Sequence, residues 1–222
     1  MNKSTRDGDI APRTRILVLG ATGGTGRLIV SHALARGYEV TALVRSAQRA
    51  KDLQGAKLIF GDVRNEASLR EAVEGQDAVI SALGTPASPF SEVTLLSTAT
   101  RALVSAMKNE QVSRLIAITG IGAGDSRGHG GFVFDKMIYP LLLRNVYADK
   151  DRQEAIVRDS GLEWTLVRPS VLNDKPGRAG VRALTDLSTF HGGTVSRADV
   201  ADFILDQLQA ATWLRRSPLV TW

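Results

Sequence analysis

The segment Arg15-Ile-Leu-Val-Leu runs directly into Gly20-Ala-Thr-Gly23-Gly24-Thr-Gly26, and the residues that follow carry apolar side chains at helical spacing (Leu28, Ile29, Ala33, Leu34). An unbroken apolar run has no polar face to present to water. It therefore predicts a strand covered on both sides, as in a parallel sheet. A helix over 27–36, closing at Gly37, then lies against one of those sides. The alternation continues along the chain. Strands are expected over 39–45, 57–60, 78–83, 114–119 and 164–168, with a last short one over 218–222. Helices are expected over 48–53, 66–74, 92–109, 134–160 (interrupted near Pro140) and 198–210. Residues 171–190 read as irregular.

Parallel strands joined by helices require right-handed crossovers. The expected fold is therefore α/β: a single Rossmann-type, doubly wound parallel sheet with helices on both faces. With 222 residues, one such domain over 14–222 accounts for the chain, preceded by a disordered leader over 1–13. The composition, 43% hydrophobic and 23% charged, is that of an ordinary globular protein. There is no cysteine, which excludes disulfides, Cys-ligated zinc, Fe–S clusters and a thiol nucleophile. His129 and His191 are isolated and lack metal-ligand spacing, so no metal is expected. No apolar run approaches the roughly 20 residues of a membrane helix, and the polar N-terminus has no signal-peptide core. A cytoplasmic protein without membrane or nucleic-acid partners is expected, as a monomer or homodimer. The net charge of +5 raises the prior for an anionic ligand. Basic residues are interleaved with acidic ones, and a phosphate-bearing cofactor accounts for part of the excess.

The glycine spacing indicates where such a ligand sits. A Gly-x-x-Gly-x-x-Gly turn between a buried strand and a helix lets the backbone approach a pyrophosphate. The amides and dipole of the helix N-terminus then favour its charge. Gly20, Thr22, Gly23, Gly24, Thr25 and Gly26 are the candidates. No Gly-Lys-Ser/Thr follows, which argues against a nucleotide-triphosphate loop. NAD-binding chains usually end the second strand with a carboxylate for the ribose 2′-hydroxyl. This strand ends Leu43-Val44-Arg45, with Arg49 close behind. Arginine pairs with a 2′-phosphate, so NADP(H) is the expected cofactor. Asp62 and Val63, after the third strand, can accept from an adenine amino group and donate a backbone amide; equally, Asp62 can cap the helix that begins near Asn65. Ala82, Leu83 and Gly84 end the fourth strand, where small residues admit a ribose. Ligands in open α/β sheets bind beyond the carboxyl ends of the strands. The substrate pocket is accordingly expected from loops 84–91, 120–140 and 171–193.

Taken in order, Gly-Ala-Thr-Gly-Gly-Thr-Gly, Leu-Val-Arg, Gly-Asp-Val, Asp-Ala-Val-Ile-Ser-Ala-Leu-Gly, Ser-Gly-Leu-Glu-Trp-Thr-Leu-Val-Arg-Pro and Val-Ser-Arg-Ala-Asp-Val-Ala span Arg15 to Leu208. This series resembles the atypical short-chain dehydrogenase/reductases, in the NmrA-like and NAD(P)H-binding group that includes flavin reductase/biliverdin reductase B-like proteins. The resemblance implies a nicotinamide-side set of Thr119, Lys150 and, at the end of the sixth strand, Pro169. Thr119 can orient a substrate oxygen or cap the following loop, and Lys150 can bind the nicotinamide ribose or be a solvated helix residue. Reductases of this kind usually carry Tyr-x-x-x-Lys. Here Tyr147 precedes Lys150 by three positions, which displaces it by about 100° around a helix.

Without a tyrosine acid, acceptors whose reduced anions take a proton from water are favoured. The resulting expectation is NADPH-dependent hydride transfer to a flavin, quinone or similar aromatic or polycyclic acceptor. Phe132, Phe134, Met137, Tyr139, Tyr147 and Phe190 fall near the expected pocket, or are core packing. The alternatives are a carbonyl reductase or isomerase of a biosynthetic intermediate, and a non-catalytic NADP(H)-sensing regulator.

Overall fold

The structure is a computed structural model and describes residues 14–210 and 212–222; the expected leader over 1–13 lies outside them. Its strands are β1 (Arg15–Leu19), β2 (Glu39–Val44), β3 (Lys57–Phe60), β4 (Ala78–Ser81), β5 (Arg114–Ile118), β6 (Glu163–Pro169), β7 (Val171–Asn173), β8 (Arg182–Leu184), β9 (Thr194–Ser196) and β10 (Leu219–Thr221). The α-helices are α1 (Gly24–Ala35), α2 (Glu66–Val73), α3 (Leu95–Asn109), α4 (Arg144–Arg158) and α5 (Arg197–Asp206). An eight-stranded sheet runs β3-β2-β1-β4-β5-β6-β10-β8. Its pairings are parallel except for β8, which runs antiparallel to β10 at the edge.

Period-two alternation divides each strand between two cores. Ile16 and Val18 of β1, Ala42 of β2, Ile80 of β4 and Ile116 of β5 face α1 and α5, meeting Ile29, Ala33, Val200 and Ile204. Leu17, Leu19, Leu43, Val79 and Leu115 face the other way, toward Leu69, Leu103, Met107 and Val157. Both faces are thus covered, which is why the strands read as continuous apolar runs. In register, Val18 sits between Ala42 and Ile80. The strand order reverses between β1 and β4, and a crevice opens there beyond their carboxyl ends.

Several expectations need correction: the expected helix over 48–53 is a short 3-10 turn at Ala47–Ala50, the one over 92–109 begins at Leu95, and the one over 198–210 runs from Arg197 to Asp206. The first helix begins at Gly24, not at 27. Its first turn contains two glycines, which carry no periodic apolar signal. The segment expected as one interrupted helix over 134–160 is a wide π-helical stretch, Phe134–Leu143, running into α4. Pro140 lies inside the wide part, where loosened hydrogen bonding accommodates a residue without an N–H. Finally, 171–190 is not wholly irregular. β7 pairs with β9, and β8 with β10. β7, β8 and β9, of three residues each, are too short for a local pattern, and their distant partners define them.

Candidate cofactor site

Two of the glycines are required by the turn itself. Gly20 has φ +74°, and a Cβ there would collide with the Ala82 carbonyl of the neighbouring strand end. A Cβ on Gly26 would collide with the carbonyl of Gly20. Gly26 is therefore a helix-to-strand packing glycine. Gly23 differs, since a Cβ there would meet only the Gly20 oxygen, at 3.3 Å. Gly23 is also the N-cap of α1. No side chain caps this helix, and no acidic residue lies in its first turn. The first-turn amides thus lack a partner within the helix and face outward. This is an anion cradle without a protein anion in it.

A cleft of about 600 Å³ opens from this turn, within the range of small-molecule and cofactor sites. Gly20, Thr22, Gly23, Gly24, Thr25, Gly26, Arg45, Arg49, Asp62, Val63, Ala82, Leu83, Gly84, Thr119 and Lys150 line it together. Residues far apart in sequence meet here because parallel strands bring their carboxyl ends to one edge. Two expected residues are not among its lining. Pro169 is buried at the end of β6, where its carbonyl accepts from the Ile121 amide at 3.0 Å. Tyr147 is buried beneath Lys150. The expected pocket loops contribute unequally: Gly84, Thr85, Pro86 and Leu172 line the cleft, and nothing from 120–140 does. Sequence reasoning missed Leu95, Ile118 and Arg197 in the lining. The signal for Arg197 was the Val-Ser-Arg-Ala-Asp segment itself.

At the basic end, Arg27 fastens the turn to the segment after β2, donating to the carbonyls of Thr22 (3.2 Å) and Arg49 (3.0 Å). Asp62 does not cap α2; Asn65 does, accepting from the Ser68 amide at 3.1 Å. Asp62 instead accepts from the Arg64 backbone and from both sides of its guanidinium, at 2.7–3.0 Å. Those bonds hold its carboxyl at about 2, well below the usual range.

At the opposite end, α4 and β5 place three groups. Lys150 Nζ donates to the Thr119 carbonyl at 2.5 Å and lies 4.6 Å from the centroid of the Tyr147 ring. Lys150 is therefore not a solvated helix residue, and burial pulls its ammonium down to about 8. The Thr119 hydroxyl donates to Glu154 Oε1 at 2.8 Å. It neither caps the loop nor keeps a proton for a substrate oxygen; only lone pairs remain for the cleft. Glu154, fully buried, also accepts from Arg168 Nε (2.9 Å), from Arg168 Nη2 (2.6 Å) and from Arg158 (2.9 Å). Tyr147 packs against Tyr139 and edge-on to Phe134, with ring centroids 5.3 and 6.0 Å apart. Burial pushes its phenol well above the usual value. Among the described residues no His/Asp/Glu group is arranged to hold a metal, and no helix is long and apolar enough to cross a membrane.

Comparison with known proteins agrees with this geometry. A family model described as NAD(P)H-binding matches residues 20–211. YwnB of Bacillus subtilis (strain 168), an uncharacterised protein, is 30% identical over 206 residues, covering 88% of this chain and 92% of YwnB. Some other relatives are longer proteins, of which this chain spans less than half; several are chloroplastic. Among solved structures, ChuY of Escherichia coli O157:H7, an anaerobillin reductase, superposes with a TM-score of 0.80 at 24% identity, covering 94% of this chain and 97% of ChuY. A short-chain dehydrogenase/reductase from Veillonella parvula DSM 2008 in complex with NADP gives 0.76 at 19% identity, covering 94% of each chain. These two likenesses are of fold. The cradle, the basic strand end and the family match have one common meaning: the chain belongs to the NAD(P)H-binding family of Rossmann-fold proteins.

Proposed function

We propose that this protein is an NADPH-dependent reductase that passes a hydride to a small flat acceptor, a flavin, quinone or similar aromatic molecule. The observation that carries the acceptor class is the state of Tyr147. A tyrosine acid needs a lowered pKa and access to the substrate; this phenol is buried, packed between rings and pushed upward. Ketone reduction needs a proton donor at the developing alkoxide, whereas reduced flavins and quinones take theirs from water. The dinucleotide, when bound, supplies the hydride. The protein's part is placement. First-turn amides of α1 hold the phosphates, and Arg45 and Arg49 favour the 2′-phosphate. Lys150, which keeps N–H donors beyond its bond to Thr119, holds the nicotinamide ribose. Thr119 offers a lone pair to an N–H donor, such as a carboxamide.

The test is NADPH absorbance followed with FMN, riboflavin and a simple quinone. Steady oxidation with at least one supports the reading. Tight NADPH binding without turnover on any of them would sink it and leave a cofactor-sensing role.

A further inference from the structure

Arg197 is the first residue of α5 and lies against the glycine turn. It arrives there because α5 packs along α1. Arg36, the C-cap of α1, pairs with Asp202 and Asp206 at 2.7 Å each, and His32 meets Asp202 at 2.9 Å. The Ser196 hydroxyl caps α5, accepting from the Asp199 amide at 3.0 Å, which fixes the direction of the first turn. The Arg197 stem then crosses the first turn of α1. A Cβ on Gly24 would lie 3.1 Å from both Cδ and Nε of Arg197, and all three of its nearest neighbours are atoms of that side chain. A side chain at Gly24 would press on the arginine, which would have to give by a few tenths of an ångström. Arg197 lines the same cleft as Gly23, Thr25 and Arg45.

The guanidinium has one ion-pair partner among the described residues, Asp174, at 2.7 Å. That carboxylate is 85% exposed, so the pair is of the weak, solvent-screened kind. A charge-assisted, two-pronged bond to a phosphate inside the cleft is stronger and geometrically suited to arginine. The uncapped amides of α1 converge on the same place. Arg45 and Arg49, by contrast, follow β2 and are the residues positioned for the 2′-phosphate.

We infer that Arg197 is a diphosphate-binding residue of the cofactor site, acting together with the first-turn amides of α1. It serves the part of the ligand common to NADPH, NADH and ADP, so it contributes affinity without cofactor selectivity. The inference rests on the reading of the cleft as a dinucleotide site.

The experiment is calorimetric titration of the whole chain with NADPH, NADH, ADP and adenosine 2′-monophosphate. Arg197→Met should weaken NADPH, NADH and ADP alike, by about tenfold to hundredfold. It should leave adenosine 2′-monophosphate and the NADPH/NADH ratio unchanged. Arg197→Lys, which keeps the charge but not the fork, should fall between parent and Met variant, and it replaces the Met variant if that does not fold. Asp174→Asn frees the guanidinium and should keep or raise affinity. Gly24→Ala should weaken binding in the parent and add less in the Arg197→Met background, since both act through one side chain. A loss confined to NADPH and adenosine 2′-monophosphate would overturn the inference. So would unchanged ADP affinity, or the same loss in Asp174→Asn. Failure of the parent chain to bind any dinucleotide would instead overturn the cofactor reading on which the inference stands.

Discussion

Lys150 lines the cleft and Tyr147 lies beneath it, and a single cause drives them in opposite directions. Burial disfavours the charged form of each, lowering the ammonium to about 8 and raising the phenol. Tyr147→Phe should therefore leave flavin or quinone reduction within about tenfold of the parent, because a true general acid contributes 10²–10⁴-fold. A thousandfold loss with cofactor affinity intact would restore the tyrosine acid and make carbonyl reduction the leading reading. For Lys150 the sign runs from 10.5 unfolded to about 8 folded. Between those values the unfolded chain binds more protons, so folding stability rises with pH through that window. Urea unfolding of the parent against Lys150→Met should show a stability difference that is flat below about pH 8 and shifts in the parent's favour up to about pH 10. A constant difference would mean that the amine is not desolvated. Arg45→Ala should weaken NADPH by about 1.5–3 kcal/mol and NADH far less; equal losses, read by titration of both, would show that Arg45 does not meet the 2′-phosphate. The residue types at these positions were readable from spacing. Their partners were not: the Thr119 proton goes to Glu154, a residue 35 positions away.

Two junctions between elements carry the site. The turn from β1 into α1 depends on Gly26 meeting the Gly20 carbonyl. The other junction ties β6 to α4 through Arg168 and Glu154, 2% and 0% exposed at the side chain. With Arg168 also touching exposed Asp125, Glu154 is the guanidinium's one buried counter-charge among the described residues. Removing one member of a buried pair is costly because the other stays buried and uncompensated. Glu154→Gln should destabilise the fold by about 3–5 kcal/mol with an unchanged urea m-value. A loss below about 1 kcal/mol would show that water reaches Arg168 and replaces the carboxylate. Helix and strand existence was legible along most of the chain, because burial on one or both faces leaves a periodic trace. The three-residue strands β7, β8 and β9 left none, and the helical reading of 134–160 did not separate the wide π-helical stretch at 134–143 from α4.

At the scale of the molecule, cofactor binding and folding are linked. The cleft exists only in the folded chain, so NADPH at a hundred times its dissociation constant should add about 2.7 kcal/mol of stability. For a chain of this size that is a rise of about 5–11 °C in Tm. NADH at the same concentration should give a smaller rise, and equal shifts would argue against NADPH preference. The sequence by itself determined the two-sided sheet, the loops that follow the carboxyl ends of its strands, and the glycine turn with its basic neighbour Arg45. Each of these is written in local spacing: an apolar period, a turn that only glycine tolerates, a charge at a strand end. Tertiary structure alone decided that Gly26 serves packing while Gly23 is left open to the cleft, that Arg197 crosses Gly24, and that Tyr147 lies under Lys150 rather than in the cleft. Those outcomes depend on how α5 seats on α1 and how α4 rotates against β5. Side-chain direction between packed elements follows from contacts across the whole fold, and no spacing along the chain records it.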